Sequence, residues 1–274
     1  MFLFQKRGEM AIHTQQHSAA ANSVHEGNAY SQRGHTWLAL IAFAAGGAVP
    51  IQLVTLSFGY AQYYRGIAKG PKLLSVAHQF ASWYVPLVYV PALAVLLAIA
   101  WYSRTRYPGL YRRIVVGFAM GAVATLALDA VRQMGVINGW LPADTTVLFG
   151  KLVTGSSNFA TFWPAGLLVH FVDGADFGLF FAFVWGKRSS FRSAALSAVS
   201  WALVLELGMM TGPPMGPMVG PFGIHYAWPG LFLDTLVAHV LFGIALGLLI
   251  QNFLTDADRD WLFPFLFGRK RSIR

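Results

Sequence analysis

Asp129, His170, Asp173, Asp176, Glu206, Asp234 and His239 all fall inside long apolar stretches of this sequence. An ionisable group at the centre of a bilayer costs about 2.5–3.5 kcal/mol, so such groups face a bundle interior and find partners there. Asp129, Glu206, His170 and His239 make a set of two carboxylates and two imidazoles, the donors with which soluble carboxylate bundles hold divalent transition metals such as iron, zinc or manganese. Asp173 follows His170 by one helical turn, which suits a fifth ligand or a group that orients the histidine. Asp176 lies one turn further on, and Asp234 stands at the outer end of its run, where it would guard an entrance.

The same residue types also make a proton or cation relay, and an imidazole bonded to a carboxylate is a self-satisfied pair that simply holds membrane helices together. Arg132, one turn after Asp129, is placed to neutralise that acid. The three readings of metal site, relay and structural pair therefore stand side by side. A separate donor group lies in the Met- and Pro-rich stretch 208–221, where Met215 and Met218 lead to His225. Thioethers and imidazole suit Cu(I), but methionine is equally a gap filler in packing, so copper ranks behind the other three metals.

These groups are carried by helices that composition assigns to lipid. The 274 residues are 56% hydrophobic and 11% charged, with a mean hydropathy of +0.53, outside the range of soluble domains. There is no cysteine, which removes disulfides, thiolate metal sites and cysteine nucleophiles together. A bilayer core takes roughly 20 apolar residues of helix, and six runs qualify, near 37–59, 81–102, 113–135, 163–186, 193–212 and 231–252. Trp37, Trp83, Trp101, Tyr102, Trp163, Trp185 and Trp228 mark their ends as interfacial anchors. Pro50, Pro86 and Pro91 favour kinks in the first two spans. The expected fold is thus an all-α polytopic bundle of six transmembrane helices.

Basic residues set the orientation. With the N-terminus inside, Lys6, Arg7, Arg33, Arg104, Arg106, Arg112, Arg113, Lys187, Arg188, Arg192, Arg259, Arg269, Lys270, Arg271 and Arg274 are cytoplasmic, against Arg65, Lys69, Lys72, Arg132 and Lys151 outside. Both termini are therefore expected in the cytoplasm of a cell with this protein in its inner membrane. The net charge of +9 is spent on this orientation and not on nucleic acid. Residues 1–35, with His13, His17, His25 and His35 among polar neighbours, read as a disordered cytoplasmic tail without a signal peptide. The remaining organisation is an N-terminal helix pair over 36–106, a four-helix unit over 107–252 and a cytoplasmic tail over 253–274. The first pair carries no acid or histidine within its expected spans and reads as packing or lipid-facing.

The four-helix unit contains an internal repeat. His170, Gly174, Gly178 and Leu179 match His239, Gly243, Gly247 and Leu248 as H-x3-G-x3-G-L. Asp129 precedes Gly135 by six residues, as Glu206 precedes Gly212, and Phe149-Gly150 and Phe222-Gly223 recur in the outward segments. Two parallel hairpins are expected, related by an axis along the membrane normal, with glycines at four-residue spacing, Gly117 and Gly121 included, allowing close backbone approach. A rise of about 1.5 Å per residue puts Asp129 and Glu206 roughly 20–24 Å above the cytoplasmic ends, and His170 and His239 roughly 9–12 Å below the outer ends. The four should then converge in one layer of the outer half of the bilayer.

On these motifs, residues 113–252 resemble uncharacterised small bacterial inner-membrane proteins of about four spans, a resemblance that implies no activity. The histidine boxes of membrane desaturases, the Asp-rich repeats of prenyltransferases and the Gly-x-Ser-x pattern of rhomboid proteases are absent. The leading expectation is a membrane protein with a buried carboxylate/histidine site that binds metal or translocates protons or cations. A membrane metalloenzyme of oxidoreductase type and a non-catalytic subunit of a larger membrane complex are the alternatives, with the bilayer, other membrane subunits or further copies of the chain as partners.

Overall fold

The computed structural model describes residues 35–66, 71–213 and 215–259. Most of the N-terminal tail with His13, His17 and His25, the C-terminal segment 260–274 and Pro214 lie outside the described residues. The chain divides into a short unit, Met1–Leu40, whose described part is helical, and the body, Ile41–Arg274.

Among the described residues there is helix and no strand. The long elements are α1 (Gln52–Tyr63), α2 (Lys72–Arg106), α3 (Pro108–Ile137), α4 (Thr145–Thr154), α5 (Phe159–Val184), α6 (Phe191–Thr211) and α7 (Gly230–Phe253). Five of these, α2, α3, α5, α6 and α7, are long and apolar enough to cross a membrane, and a sixth span results when the bent pair His35–Ala48 and Gln52–Tyr63 is taken as one. A polytopic helical bundle of about six spans is therefore the architecture. The protein is membrane-embedded, because no other solvent accommodates this many exposed apolar helices.

The helix boundaries follow local chemistry. α3 starts with Pro108 at its first position, where the missing N–H costs nothing. Asp144, Asn158 and Ser190 cap α4, α5 and α6, each side-chain oxygen accepting a backbone N–H of the first turn. Gly155 ends α4 at φ 64°, a conformation that favours glycine. The second span begins about ten residues earlier than its apolar run suggests, at Lys72, because a short π-helical turn at Val85–Tyr89 absorbs Pro86 and lets the helix continue. Pro50 falls between the π-helical turn Ala44–Ala48 and α1, where the first span breaks.

α5 is the hub of the bundle: 67% of its most apolar window is buried, against 22% for α2. α3 packs on α5 and α6 packs on α7, so each expected hairpin closes on itself. The glycines do this in the same way twice. A Cβ on Gly121 would stand 2.9 Å from Gly178 Cα, and one on Gly117 would stand 2.8 Å from Leu179 Cα. In the second hairpin a Cβ on Gly243 would meet Val199 Cα at 2.7 Å and one on Gly247 would meet Ala194 O at 2.6 Å. Ala194 and Ala198 thus take the places of Gly117 and Gly121, the same distance ahead of Glu206 as those glycines are of Asp129.

The two hairpins meet unequally. α3 and α7 pack closely on each other, whereas α5 and α6 are joined by side chains, with Trp201 stacked on Phe180 at 4.2 Å and donating its indole N–H to Phe177 O at 3.2 Å. The Phe-Gly part of the repeat is not structural: Phe149-Gly150 lies inside α4, while Phe222 sits at φ 56° in the short 3-10 turn Pro221–Gly223. α4 itself is a helix in what reads as an outward loop, and it packs on α5 and α2. Of the aromatic anchors in the body, Trp83, Trp101, Tyr102, Trp163 and Trp228 are exposed, while Trp185 is half-buried, stacked on Phe181 at the edge of the core.

Candidate functional site

A cavity of about 280 Å³ lies among α1, α3, α5, α6 and α7. His170 and Asp173 of α5, Asp234, Thr235 and His239 of α7, and Thr125 and Arg132 of α3 supply its polar wall, while Val54, Leu128, Phe149, Phe177 and Phe242 are among the apolar residues. The repeat thus brings both histidines to one cavity, as their positions in the sequence suggest. α1 contributes Val54 and Thr55, so the first span is not merely appended to the four-helix unit.

Each histidine is paired with the acid of its own hairpin. His170 Nε2 and Asp129 Oδ1 are 2.8 Å apart, and Arg132 Nε donates to the same oxygen at 2.9 Å. Arg132 also places Nη1 3.1 Å from Asp144 Oδ1, so this guanidinium, itself 6% exposed, is clasped by two carboxylates. The ion pair between Arg132 and Asp129 expected from their spacing is present. Asp144 is doubly employed, as the cap of α4 and as a counter-charge. Burial by itself would raise its carboxyl, but donors from Thr146 and Gln133 and the charge of Arg132 hold it well below the usual carboxylate range.

The second pair is built differently. His239 Nδ1 lies 2.9 Å from Glu206 Oε2, yet its hydrogen-bond partner is the carbonyl of Thr235 at 2.8 Å, one turn back on α7. A donor at Nδ1 leaves Nε2 as the basic nitrogen. Thr235 Oγ1 donates to Glu206 Oε1 at 2.7 Å. Among the described residues no arginine or lysine pairs with Glu206. One hairpin therefore carries a fixed positive charge beside its acid and the other does not.

Convergence stops at the level of pairs: among the described residues, no three His, Asp or Glu side chains come close enough together to hold a metal ion. Asp173 lines the cavity, and its Oδ1 is buried without a hydrogen-bond partner. Asp176 is fully buried away from the cavity wall, with neither oxygen partnered. Asp234 lines the cavity from the first turns of α7 and fits against α3 only because position 135 is glycine, where a Cβ would stand 2.6 Å from its Cγ. The sulphur-rich group does not assemble. Met215 reaches the cavity and Met218 packs on the apolar clusters nearby, but His225 is exposed on the loop, its ring against Gly220.

Other polar residues inside the bundle carry weaker sequence signals. Thr235 stands one turn before His239, a spacing that brings a hydroxyl to the acid–histidine pair. Tyr89, in the π-helical turn of α2, is 5% exposed and has no partner for its hydroxyl. His78, in the part of α2 ahead of its apolar run, bonds Leu152 O of α4 through Nδ1 at 2.5 Å. No protein-family model matches this sequence, and neither a curated protein nor a solved structure matches it.

Proposed function

We propose that this membrane protein translocates protons, with the cavity as a station inside the bilayer and the Glu206–His239 pair as the proton carrier. The observation that carries this reading is the asymmetry of the two pairs whose histidines line one cavity: Asp129–His170 has Arg132 beside it and Glu206–His239 has no fixed counter-charge. In a low-dielectric interior an acid and an imidazole are cheapest as a neutral pair, which holds one proton between them. Losing or gaining that proton changes the charge facing the cavity. In the first pair Arg132 is a fixed counter-charge to the Asp129 carboxylate, so that acid is offset without taking up a proton.

Placement in the chain supports the same reading. Measured along the helices at about 1.5 Å per residue, the four pair residues lie roughly 7–17 Å from the ends of α3, α5, α6 and α7 nearest the cavity. At the opposite end Arg112 bonds Asp258 and Lys187 bonds Leu254 O, gathering the basic start of α3 and the basic segment after α5 with the end of α7. The asymmetry of basic residues makes that end the cytoplasmic one, in a cell inner membrane.

The test is proton uptake by vesicles containing the purified chain under an imposed membrane potential, with metal content measured on the same preparation. Wild type should take up protons and Glu206→Gln should not. No uptake by well-folded wild type would end this reading. Stoichiometric metal lost in both His170→Ala and His239→Ala would replace it with a metal site.

A further inference from the structure

We propose that Asp173, Asp176 and Tyr89 form a binding site for one small monovalent cation of the size of sodium, entered from the cavity past Asp173. The inference is independent of the acid–histidine pairs, none of whose members it uses. Asp173 and Asp176 are one turn apart on α5 and share a face. They are 7% and 0% exposed, and Tyr89 of α2, at 5%, lies within electrostatic reach of both. Asp173 Oδ1, both oxygens of Asp176 and the Tyr89 hydroxyl are buried with no hydrogen-bond partner. Among the described residues no Lys, Arg or His forms an ion pair with either acid.

Two neighbouring acids buried in a membrane bundle without a basic partner must be neutralised, by protons or by a cation, and protonation alone leaves their oxygens without hydrogen-bond partners. The Tyr89 hydroxyl, within electrostatic reach of both, has a single hydrogen to donate and so can satisfy one oxygen only, which leaves the rest of the set unsatisfied. The unpartnered atoms are all oxygen, and oxygen donors select hard cations. A divalent ion calls for more ligands than these residues offer: Ca²⁺ takes about 6–8 oxygens and Mg²⁺ about six, several of them retained waters. A monovalent ion is less demanding of charged ligands and completes its shell with neutral oxygens, and together with one proton shared by the two carboxyls it leaves the site neutral. Asp173 lines the cavity and Asp176 does not, so the cation meets Asp173 first and is held one turn deeper, between Asp176 and Tyr89.

The test uses the purified full-length chain in detergent, at equal ionic strength in sodium, potassium or choline chloride, followed by thermal unfolding and by direct binding of radioactive sodium. Sodium should raise the unfolding midpoint saturably over choline, with one ion bound per chain. Tyr89→Phe should weaken sodium binding about tenfold, the scale of one charge-assisted contact, and Asp176→Asn should abolish it. If Asp176→Asn does not fold, Tyr89→Phe carries the comparison. Equal responses to all three salts, a response to pH with none to sodium, or sodium binding unchanged in Tyr89→Phe would each overturn the site. Proton uptake through Glu206 is measured separately, so either proposal can fail without the other.

Discussion

His239 Nδ1 sits 2.9 Å from Glu206 Oε2 but gives its hydrogen bond to the carbonyl of Thr235. The carboxylate is held instead by the Thr235 hydroxyl, so one turn of α7 supports both members of the pair. His170 has no such arrangement, and its acid is held by Arg132. From this difference follow distinct roles for two pairs that the repeat makes equivalent.

Glu206→Gln keeps an acceptor for Thr235 and removes the proton-binding oxygen. Proton uptake should fall roughly 100-fold or more, the scale for losing a positioned proton carrier, with the unfolding midpoint little changed. Asp129→Asn should do the reverse, costing about 1–3 kcal/mol of stability through the charged donors it leaves behind while uptake persists. Equal loss of uptake in both variants would contradict the division of roles.

Gly121 and Gly178 meet across α3 and α5, and Gly247 meets Ala194 across α7 and α6. Gly178→Val and Gly247→Val should each force the helix backbones apart, at about 1–3 kcal/mol. Thermal unfolding in detergent reads the cost. Gly59, with open space around its missing Cβ, is the control, and Gly59→Ala should not destabilise. A control as damaging as the two interface variants would refute the packing account.

Asp258, in the 3-10 turn after α7, is 1% exposed and accepts from Arg112 Nε at 2.7 Å and from the backbone and hydroxyl of Thr255 at 2.9 Å each. Burial alone would raise its carboxyl, but these donors and the charge of Arg112 outweigh that and hold it below its ordinary value. Because the folded-state value is depressed, the stabilisation is complete above the unfolded value of about 3.9 and is lost as pH falls through the folded one. Unfolding midpoints of wild type and Asp258→Asn should therefore differ at neutral pH and converge in acid. A gap that persists unchanged at the acid end would refute the linkage.

Asp144 caps α4 and faces Arg132. Asn is a good cap without the charge, so Asp144→Asn should cost less than Asp144→Ala by about 1 kcal/mol, the worth of the cap. Chemical denaturation of the three forms measures the difference. Identical losses would mean that only the charge at Arg132 matters.

Most of the architecture is a consequence of solvent. Runs of about 20 apolar residues have no stable place outside a bilayer, and backbone groups in lipid must pair within a helix, so the spans are visible in the residues alone. So is the repeat, because H-x3-G-x3-G-L and its preceding acid helix occur twice, although it reads as one converging layer of two acids and two histidines and not as a separate pair within each hairpin. What residue types cannot encode is contact between helices far apart in sequence. That Arg132 is shared with Asp144, that Asp129–His170 and Glu206–His239 remain separate pairs, and that Tyr89, from a span without apparent chemistry, is buried within electrostatic reach of Asp173 and Asp176 were decided by packing. The unequal α3–α7 and α5–α6 contacts, set by Trp201 and its aromatic neighbours, break a symmetry that the repeat by itself would have kept.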